Sequence, residues 1–112
     1  MVDDRVNRLA KQLVNYSCNV QKGEKVLIST IDCDDALTEA MIKAVAAAGG
    51  IPFVDLERSS LLRQLLMNGS KAMIDAMTKF DVPRMKDMDA FIGIRGASNV
   101  AHLSDVPPDI ME

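Results

Sequence analysis

The chain has 112 residues, room for one domain, and its 48% hydrophobic and 26% charged residues are the ordinary balance of a globular protein. A formal net charge of -3, no tryptophan and only four other aromatic residues (one Tyr and three Phe) argue against nucleic acid or an anionic membrane as a partner. The longest uncharged apolar stretch, residues 44–54, is too short to span a bilayer.

Two features of the chain predict a cytoplasmic location. The first residues, Met-Val-Asp-Asp-Arg, are acidic where a secretory signal peptide would be basic and then apolar. The two cysteines, Cys18 and Cys33, are too few for a disulfide scaffold and lack the close pairing of a zinc site. We therefore expect a reducing compartment in which both cysteines are thiols.

Hydrophobic periodicity predicts the elements of the N-terminal half. Asp3 or Asp4 can cap a first helix, in which apolar residues recur every three or four positions until near Tyr16. Residues 25–31 are apolar enough for a central strand. A second helix is predicted to open at residues 32–35 and to stop at the glycine pair 49–50. The apolar residues that recur on its buried face are Leu37, Ala40, Met41, Ala44, Val45 and Ala48.

Strand and helix signals continue to alternate in the C-terminal half. Residues 51–56 form the second predicted strand, and Pro52 near its start suits a strand beginning or a sheet edge. Two helices follow, starting at Ser59 or Ser60 and at Ser70, and Pro83 is predicted to break the second of them. Residues 90–94 form the third predicted strand, an uncharged apolar run that suits a strand covered on both faces.

The order helix, strand, helix, strand, two helices, strand predicts an α/β fold: a three-layer α/β/α arrangement around a small parallel sheet. We expect the strand order 2-1-3, with residues 25–31 in the middle. Three parallel strands leave two bare edges, and a sheet of this size is marginal alone. We therefore expect residues 1–112 to be one N-terminal α/β domain that is an incomplete piece of a larger protein or is completed by association.

The loop after the third strand contains the first set of candidate residues. In open α/β sheets, ligands bind just beyond the carboxyl ends of the strands, which is where Arg95, Asn99 and His102 are expected. Arg95 can hold a carboxylate or phosphate bidentately, or it can form a salt bridge to a loop aspartate or a second domain. His102 is the only histidine, and the alternative to metal binding is that it caps its own loop or lies on the surface. These three residues are a candidate cavity or domain-interface loop.

An acidic cluster after the first strand is the second candidate. Asp32 and Asp34, two positions apart after an apolar strand, are similar to the nucleophile motif of the haloacid-dehalogenase-like phosphatases, which act with magnesium. Ala36 departs from that motif, which usually has Thr or Val there. The alternative is that these carboxylates cap a helix. The turn has no glycine and is negatively charged, which argues against a dinucleotide site.

Several segments resemble the aminopeptidase T and aminopeptidase S family of metalloaminopeptidases, in the same order along the chain. They are residues 7–17 (NRLAKQLVNYS), 20–28 (VQKGEKVLI), 47–52 (AAGGIP), 88–99 (MDAFIGIRGASN) and 103–108 (LSDVPP). Residues 58–86 resemble that family only loosely.

This resemblance implies a cytosolic, often dimeric exopeptidase that removes N-terminal amino acids from peptides by water activated on two divalent metal ions, of the zinc or cobalt type. In that family the metal ligands lie later in the polypeptide, and none of their motifs occurs here. The resemblance therefore assigns no catalytic, cofactor-binding or metal-binding residue to this chain. It implies an N-terminal domain, inactive alone and binding no metal itself, that packs against a catalytic C-terminal domain, shapes substrate access and contributes to a homodimer.

Two other functions remain open from the residues alone. One is a small magnesium-dependent phosphatase-like or phosphotransfer module that uses Asp32 and Asp34. The other is a non-enzymatic α/β interaction module that pairs through its bare sheet edges.

Overall fold

The computed structural model describes residues 4–96. In chain order its elements are α1 (Asp4–Gln12), a π-helical turn (Leu13–Ser17), β1 (Lys25–Ile31), α2 (Asp35–Ala47), β2 (Ile51–Glu57), α3 (Ser59–Asn68), α4 (Lys71–Lys86) and β3 (Ala90–Arg95). No helix within residues 4–96 has the length and apolarity needed to cross a bilayer.

The three strands form one parallel sheet in the order β2-β1-β3, as predicted. The apolar strand β1 is central and pairs on both sides, so that Leu27 lies between Phe53 and Phe91 in the register. Within residues 4–96, β2 and β3 are the edge strands, which agrees with Pro52 near the start of β2. These findings confirm the predicted α/β fold.

The core lies on one face of the sheet, beneath α1 and α2. Side chains alternate along a strand, so Val26 and Ile28 of β1 point to this face and Leu27 to the other. The predicted buried stripe of α2 packs here, with Met41 and Val45 fully buried. The buried residues of this cluster are Ala10, Val14, Val20, Val26, Ile28, Ala40, Met41, Ala44, Val45 and Ile92.

The end of α2 is set by its glycine pair. Gly49 has a φ of +86°, a left-handed conformation that glycine adopts without steric cost. The amide of Gly50 donates to the carbonyl of Val45 (2.9 Å), and that of Gly49 to the carbonyl of Ala46 (3.0 Å). This Schellman pairing satisfies the last carbonyls of the helix and turns the chain directly into β2.

The second face of the sheet is covered only in part. Leu27 is buried there, but its neighbours Phe53 and Phe91 are 36% and 51% exposed. Helices α3 and α4 have few contacts with the sheet, and α4 has no buried residue. The expectation that the third strand is covered on both faces is therefore wrong. It lies at an edge, and only Ile92 of that strand is buried.

Helix α4 continues through Pro83 to Lys86, so the predicted break at Pro83 is also wrong. Proline removes one helical hydrogen bond, the one that residue 83 would donate to the carbonyl of Lys79. Lys79 is exposed, and that carbonyl lies on a solvated helix where water can replace the lost donor. The loss of one solvent-exposed hydrogen bond in its last turns is not enough to end the helix.

Two ion pairs attach the end of α4 and the following turn to the sheet. Arg84 donates through both terminal nitrogens to the carboxylate of Asp55, which projects from the partly covered face of β2. This hydrogen-bonded pairing raises the pKa of Arg84 above its usual range. Lys25 at the start of β1 contacts Asp87 at 2.7 Å, and this hydrogen bond raises the pKa of Lys25. The amide of Lys25 also donates to the Asp89 carboxylate at 2.8 Å.

The Lys25–Asp87 pair predicts a stability change at alkaline pH. Because the pKa of Lys25 is raised in the folded state, its stabilising contribution is complete below the ordinary value of 10.5 and is lost as pH rises through the folded-state value. In urea unfolding, the free energies of unfolding of the wild-type chain and of Lys25→Gln should therefore differ by a constant amount from neutral pH to the ordinary pKa of lysine. Above that pKa the two free energies should converge. A difference that persists unchanged at higher pH would contradict this origin.

Candidate functional site: the carboxyl ends of β1 and β3

A cavity of about 320 Å³ opens where β1 and β3 end. In the strand order β2-β1-β3 the chain leaves β1 towards one side and places β3 on the other, so this crevice is the topological switch point of the sheet. Its polar lining comes from Asp32, Cys33, Asp34 and Arg95, and its apolar lining includes Leu9 and Leu37. The sequence placed both candidate sets at this end of the sheet, and the structure brings Asp32, Asp34 and Arg95 to the same cavity.

Asp32 is held in a left-handed conformation with a φ of +57° directly after β1. Aspartate tolerates this region better than most residues because its short side chain can bond locally. Both carboxylate oxygens accept from the amide of Ser59, at 3.1 and 3.2 Å, and the backbone amide of Asp32 donates to the carbonyl of Glu57. Asp32 therefore caps the N-terminus of α3, a helix distant in sequence.

Asp32 is thus confirmed as a helix cap. The helix that it caps is α3, and not α2, which the acidic cluster precedes. Asp34 occupies the N-cap position of α2, and its side chain makes no capping hydrogen bond. Sequence periodicity located the start of α2 correctly, whereas the bond from Asp32 to Ser59 depends on β2 lying beside β1. In the sequence, the signal for this bond was an aspartate directly after an apolar strand.

Cys33 contacts the ends of two strands, which the sequence did not indicate. Its thiol lies 3.6 Å from the carbonyl oxygen of Ile31 and 3.5 Å from that of Ile94, in donor geometry to both. These weak bonds join the ends of β1 and β3 at the cavity. Cys18 and Cys33 are both free, as expected, and half-buried.

Arg95 is the last residue of β3 and is exposed at the cavity. Among residues 4–96, its guanidinium has no hydrogen-bond or ion-pair partner. The other two predicted residues of this loop, Asn99 and His102, lie outside the described residues.

The carboxylates and the thiol at this cavity do not fit a catalytic metal centre. Within residues 4–96 there is no group of three or more His, Cys, Asp or Glu side chains able to hold a metal ion. At this cavity the Asp32 carboxylate is already bonded to the amide of Ser59, and the Cys33 thiol is directed at two carbonyl oxygens. This cavity offers charge and shape for a ligand or a neighbouring domain, and no metal-dependent step is assigned to it.

A second depression, of about 380 Å³, lies between α1 and α2. Its polar lining consists of Asn7, Lys11, Asn15 and Lys43, and the remaining lining residues are alanines. Among the described residues that line it there is no carboxylate, thiol or imidazole, so it lacks the ligands for a metal ion.

Substitutions of Asp32 test whether it serves as a cap. Asp32→Ala removes the acceptor and places alanine at positive φ, so we expect a loss of about 1 to 2 kcal/mol in the free energy of unfolding. Asp32→Asn keeps one acceptor oxygen and tolerates the same backbone conformation, and it should retain most of the stability. Asp34→Ala is the matched control without a capping bond. Equal losses for Asp32→Asn and Asp32→Ala in urea unfolding would mean that the negative charge, rather than capping, is required.

The fold and the strand-end cavity together define an α/β domain of the open parallel-sheet class. Comparison with solved structures agrees: the wild-type AmpT from Thermus thermophilus superposes with a TM-score of 0.70 at 15% sequence identity. The match covers 96% of this chain and 28% of that one, so this chain spans just over a quarter of the length of AmpT. This likeness establishes the fold. A comparison with curated proteins gave no match.

The family follows from the sequence itself. A model of the family described as thermophilic metalloprotease (M29) matches residues 2–112. The chain therefore belongs to that family, and the resemblance inferred from its segments is confirmed.

Proposed function

We propose that this chain is the N-terminal α/β domain of a metal-dependent aminopeptidase that releases N-terminal amino acids from peptides. The observation that carries the proposal is the metalloprotease family match over residues 2–112. The structural likeness to AmpT over 28% of that protein supports a parent with a further, larger part. In this proposal two divalent metal ions, of the zinc or cobalt type, are held by a catalytic C-terminal domain in a cytoplasmic enzyme.

The role of the domain in this proposal is to pack against the catalytic part and shape access to it. The partly covered sheet face supports this role, because Phe53 and Phe91 are large apolar side chains left exposed to solvent there. The cavity at the strand ends supports it too, since Arg95 at its rim offers a cation that has no partner within residues 4–96.

The hydrogen bonding of Asp32 argues against the phosphotransfer alternative. It requires Asp32 and Asp34 to bind magnesium together, and the Asp32 carboxylate instead accepts twice from the amide of Ser59.

The test is to read the source reading frame past the codon for Glu112 and to express both the extended product and residues 1–112. We expect the extended product to release amino acids from peptides in a reaction that a chelator stops and zinc or cobalt restores. Residues 1–112 alone should show no such activity. Added metal should not shift the midpoint of their thermal unfolding. Chelator-sensitive peptidase activity of residues 1–112, or none in a metal-loaded extended product, would contradict the proposal.

A further inference from the structure

A cleft of about 290 Å³ lies over the carboxyl ends of β1 and β3, on the partly covered face of the sheet. Side chains alternate along a strand, so Phe91, Gly93 and Arg95 share this face. The register of the two strands places Ser29 beside Gly93. The residues that line this cleft, which we name the Arg95 cleft, are Ser29, Ile31, Phe91, Gly93, Ile94 and Arg95. The cavity that contains Asp32 has a different lining and shares only the end of β3 with it.

The floor of the Arg95 cleft is open because residue 93 is glycine. A Cβ at Gly93 would lie 3.0 and 3.6 Å from two ring carbons of Phe91. Apart from the chain neighbours of Gly93, no other atom of residues 4–96 lies within 4 Å of that position. The ring of Phe91 therefore leans over one side of Gly93, whereas the side chains of Ser29 and Arg95 leave the position uncovered. Any other residue at position 93 would fill this space.

Two polar groups at the Arg95 cleft have no partner within residues 4–96. Arg95 is exposed, and its guanidinium makes no hydrogen bond or ion pair there. The hydroxyl of Ser29 is half-buried and likewise makes no hydrogen bond there. A guanidinium presents a planar fork of N–H donors that matches the two oxygens of a carboxylate, and a hydroxyl can donate to the same group. The cleft therefore offers donors of the kind that a carboxylate requires.

The surroundings of these donors favour a carboxylate joined to an apolar side chain. Arg95 supplies a single positive charge, and Asp32 and Asp34 line the adjoining cavity, so an anion with several charges is repelled. The half-exposed ring of Phe91 offers apolar surface at the other end of the cleft. The Cα atoms of Phe91 and Arg95 are about 13 Å apart on an extended strand, so one or two residues of a peptide fit between the ring and the cation.

We propose that the Arg95 cleft binds the C-terminal carboxylate of a short peptide that ends in an apolar residue. Arg95 pairs with the carboxylate, Ser29 donates a hydrogen bond to it, and the apolar side chain lies over Gly93 against the ring of Phe91. The choice of a peptide as the ligand rests on the proposed function, whereas the carboxylate site rests on the residues of this chain. An aminopeptidase that also holds the C-terminus of its substrate favours short peptides, because both ends must reach their sites at once.

The first test titrates residues 1–112 with N-acetyl-leucine, which presents one carboxylate and one apolar side chain, and follows the backbone amides by NMR. We expect saturable shifts that are largest near Gly93 and Arg95, with a dissociation constant of about 1 to 10 mM. N-acetyl-leucinamide lacks the charge and should bind about tenfold more weakly. N-acetylglycine lacks the apolar side chain and should also bind more weakly than N-acetyl-leucine.

The second test assigns the binding to the cleft by substitution. Arg95→Gln removes the cation, so it should weaken binding of N-acetyl-leucine about tenfold and abolish the preference over the amide. Arg58→Gln is the matched control, because it makes the same change at an exposed arginine directly after β2, and it should leave both affinities unchanged. Gly93→Leu fills the floor and keeps the cation, so it should weaken binding of both probes. Far-UV circular dichroism checks that the variants fold.

Five outcomes overturn the proposal. Absence of binding, or equal binding of N-acetyl-leucine and its amide, means that the cleft does not recognise a carboxylate. Equal effects of Arg95→Gln and Arg58→Gln mean that another surface binds the probe. Inorganic phosphate that shifts the same amides at an equal or lower concentration means that the cleft is a general anion site. Binding to residues 1–112 that is lost in the extended product means that the rest of the parent covers the cleft.

The probe also separates this proposal from the proposed function. N-acetyl-leucine has a blocked amino group, so an aminopeptidase has no N-terminal residue to release from it. Binding is therefore measured without turnover. Failed binding overturns the carboxylate site and leaves the peptidase proposal intact, whereas an extended product that binds the probe and has no peptidase activity overturns the proposed function alone.

Discussion

Replacing Ile28 with alanine is expected to lower the free energy of unfolding by about 3 kcal/mol. Ile28 is fully buried in the central strand, between Val54 and Ile92 in the register and among the core residues beneath α1 and α2. The substitution removes three carbons from a site that neighbouring strands hold rigidly on both sides. The resulting cavity cannot collapse, so the lost dispersion contacts add to the lost transfer free energy.

The matched control for Ile28→Ala is Leu61→Ala, which removes the same number of carbons from a side chain that is 62% exposed on α3. We expect it to change the free energy of unfolding by less than about 0.5 kcal/mol. Urea unfolding followed by circular dichroism measures both free energies. The slope of the free energy of unfolding against urea concentration should be the same in the two variants. Similar losses in the two variants would show that α3 packs more closely than its exposure indicates.

Gly50→Ala is expected to have the second-largest effect, a loss of about 2 kcal/mol, because its site has no space for a methyl group. A Cβ at Gly50 would lie 2.8 Å from a Val20 methyl carbon, 3.0 Å from one of Val45 and 3.3 Å from the carbonyl oxygen of Glu24. Val20 and Val45 are both buried core residues, so neither can move away without disturbing its own neighbours. The cost is steric, since Gly50 does not have a positive φ.

Two controls separate this steric cost from backbone strain. Gly23→Ala places alanine at a φ of +82° with no atom within 4 Å of the new Cβ, so it should cost about 1 kcal/mol from conformation alone. The double variant Gly50→Ala with Val20→Ala removes the closest clash partner. Its loss should be smaller than the sum of the two single losses, as measured by urea unfolding. Strict additivity would mean that the clash with Val20 is relieved elsewhere.

The sequence predicted the features that depend on neighbours along the chain. Periodicity placed all three strands, the buried stripe of α2 and its end at the glycine pair, because amphipathic spacing and the need for positive φ are local properties. The alternation of strands and helices predicted the parallel sheet and its order. The segment resemblance predicted the family that the match over residues 2–112 confirms.

The tertiary structure decided the features that depend on residues far apart in the chain. Asp32 caps α3 because β2 returns beside β1 and delivers Ser59 to its carboxylate. Phe91 is exposed although its strand is apolar, because the strand lies at an edge and α3 and α4 cover its face loosely. Pro83 remains inside α4 because the hydrogen bond that it removes is on a solvated surface. Apolar spacing shows which residues favour burial, whereas the amount of burial depends on what packs opposite them, and only the folded arrangement determines that.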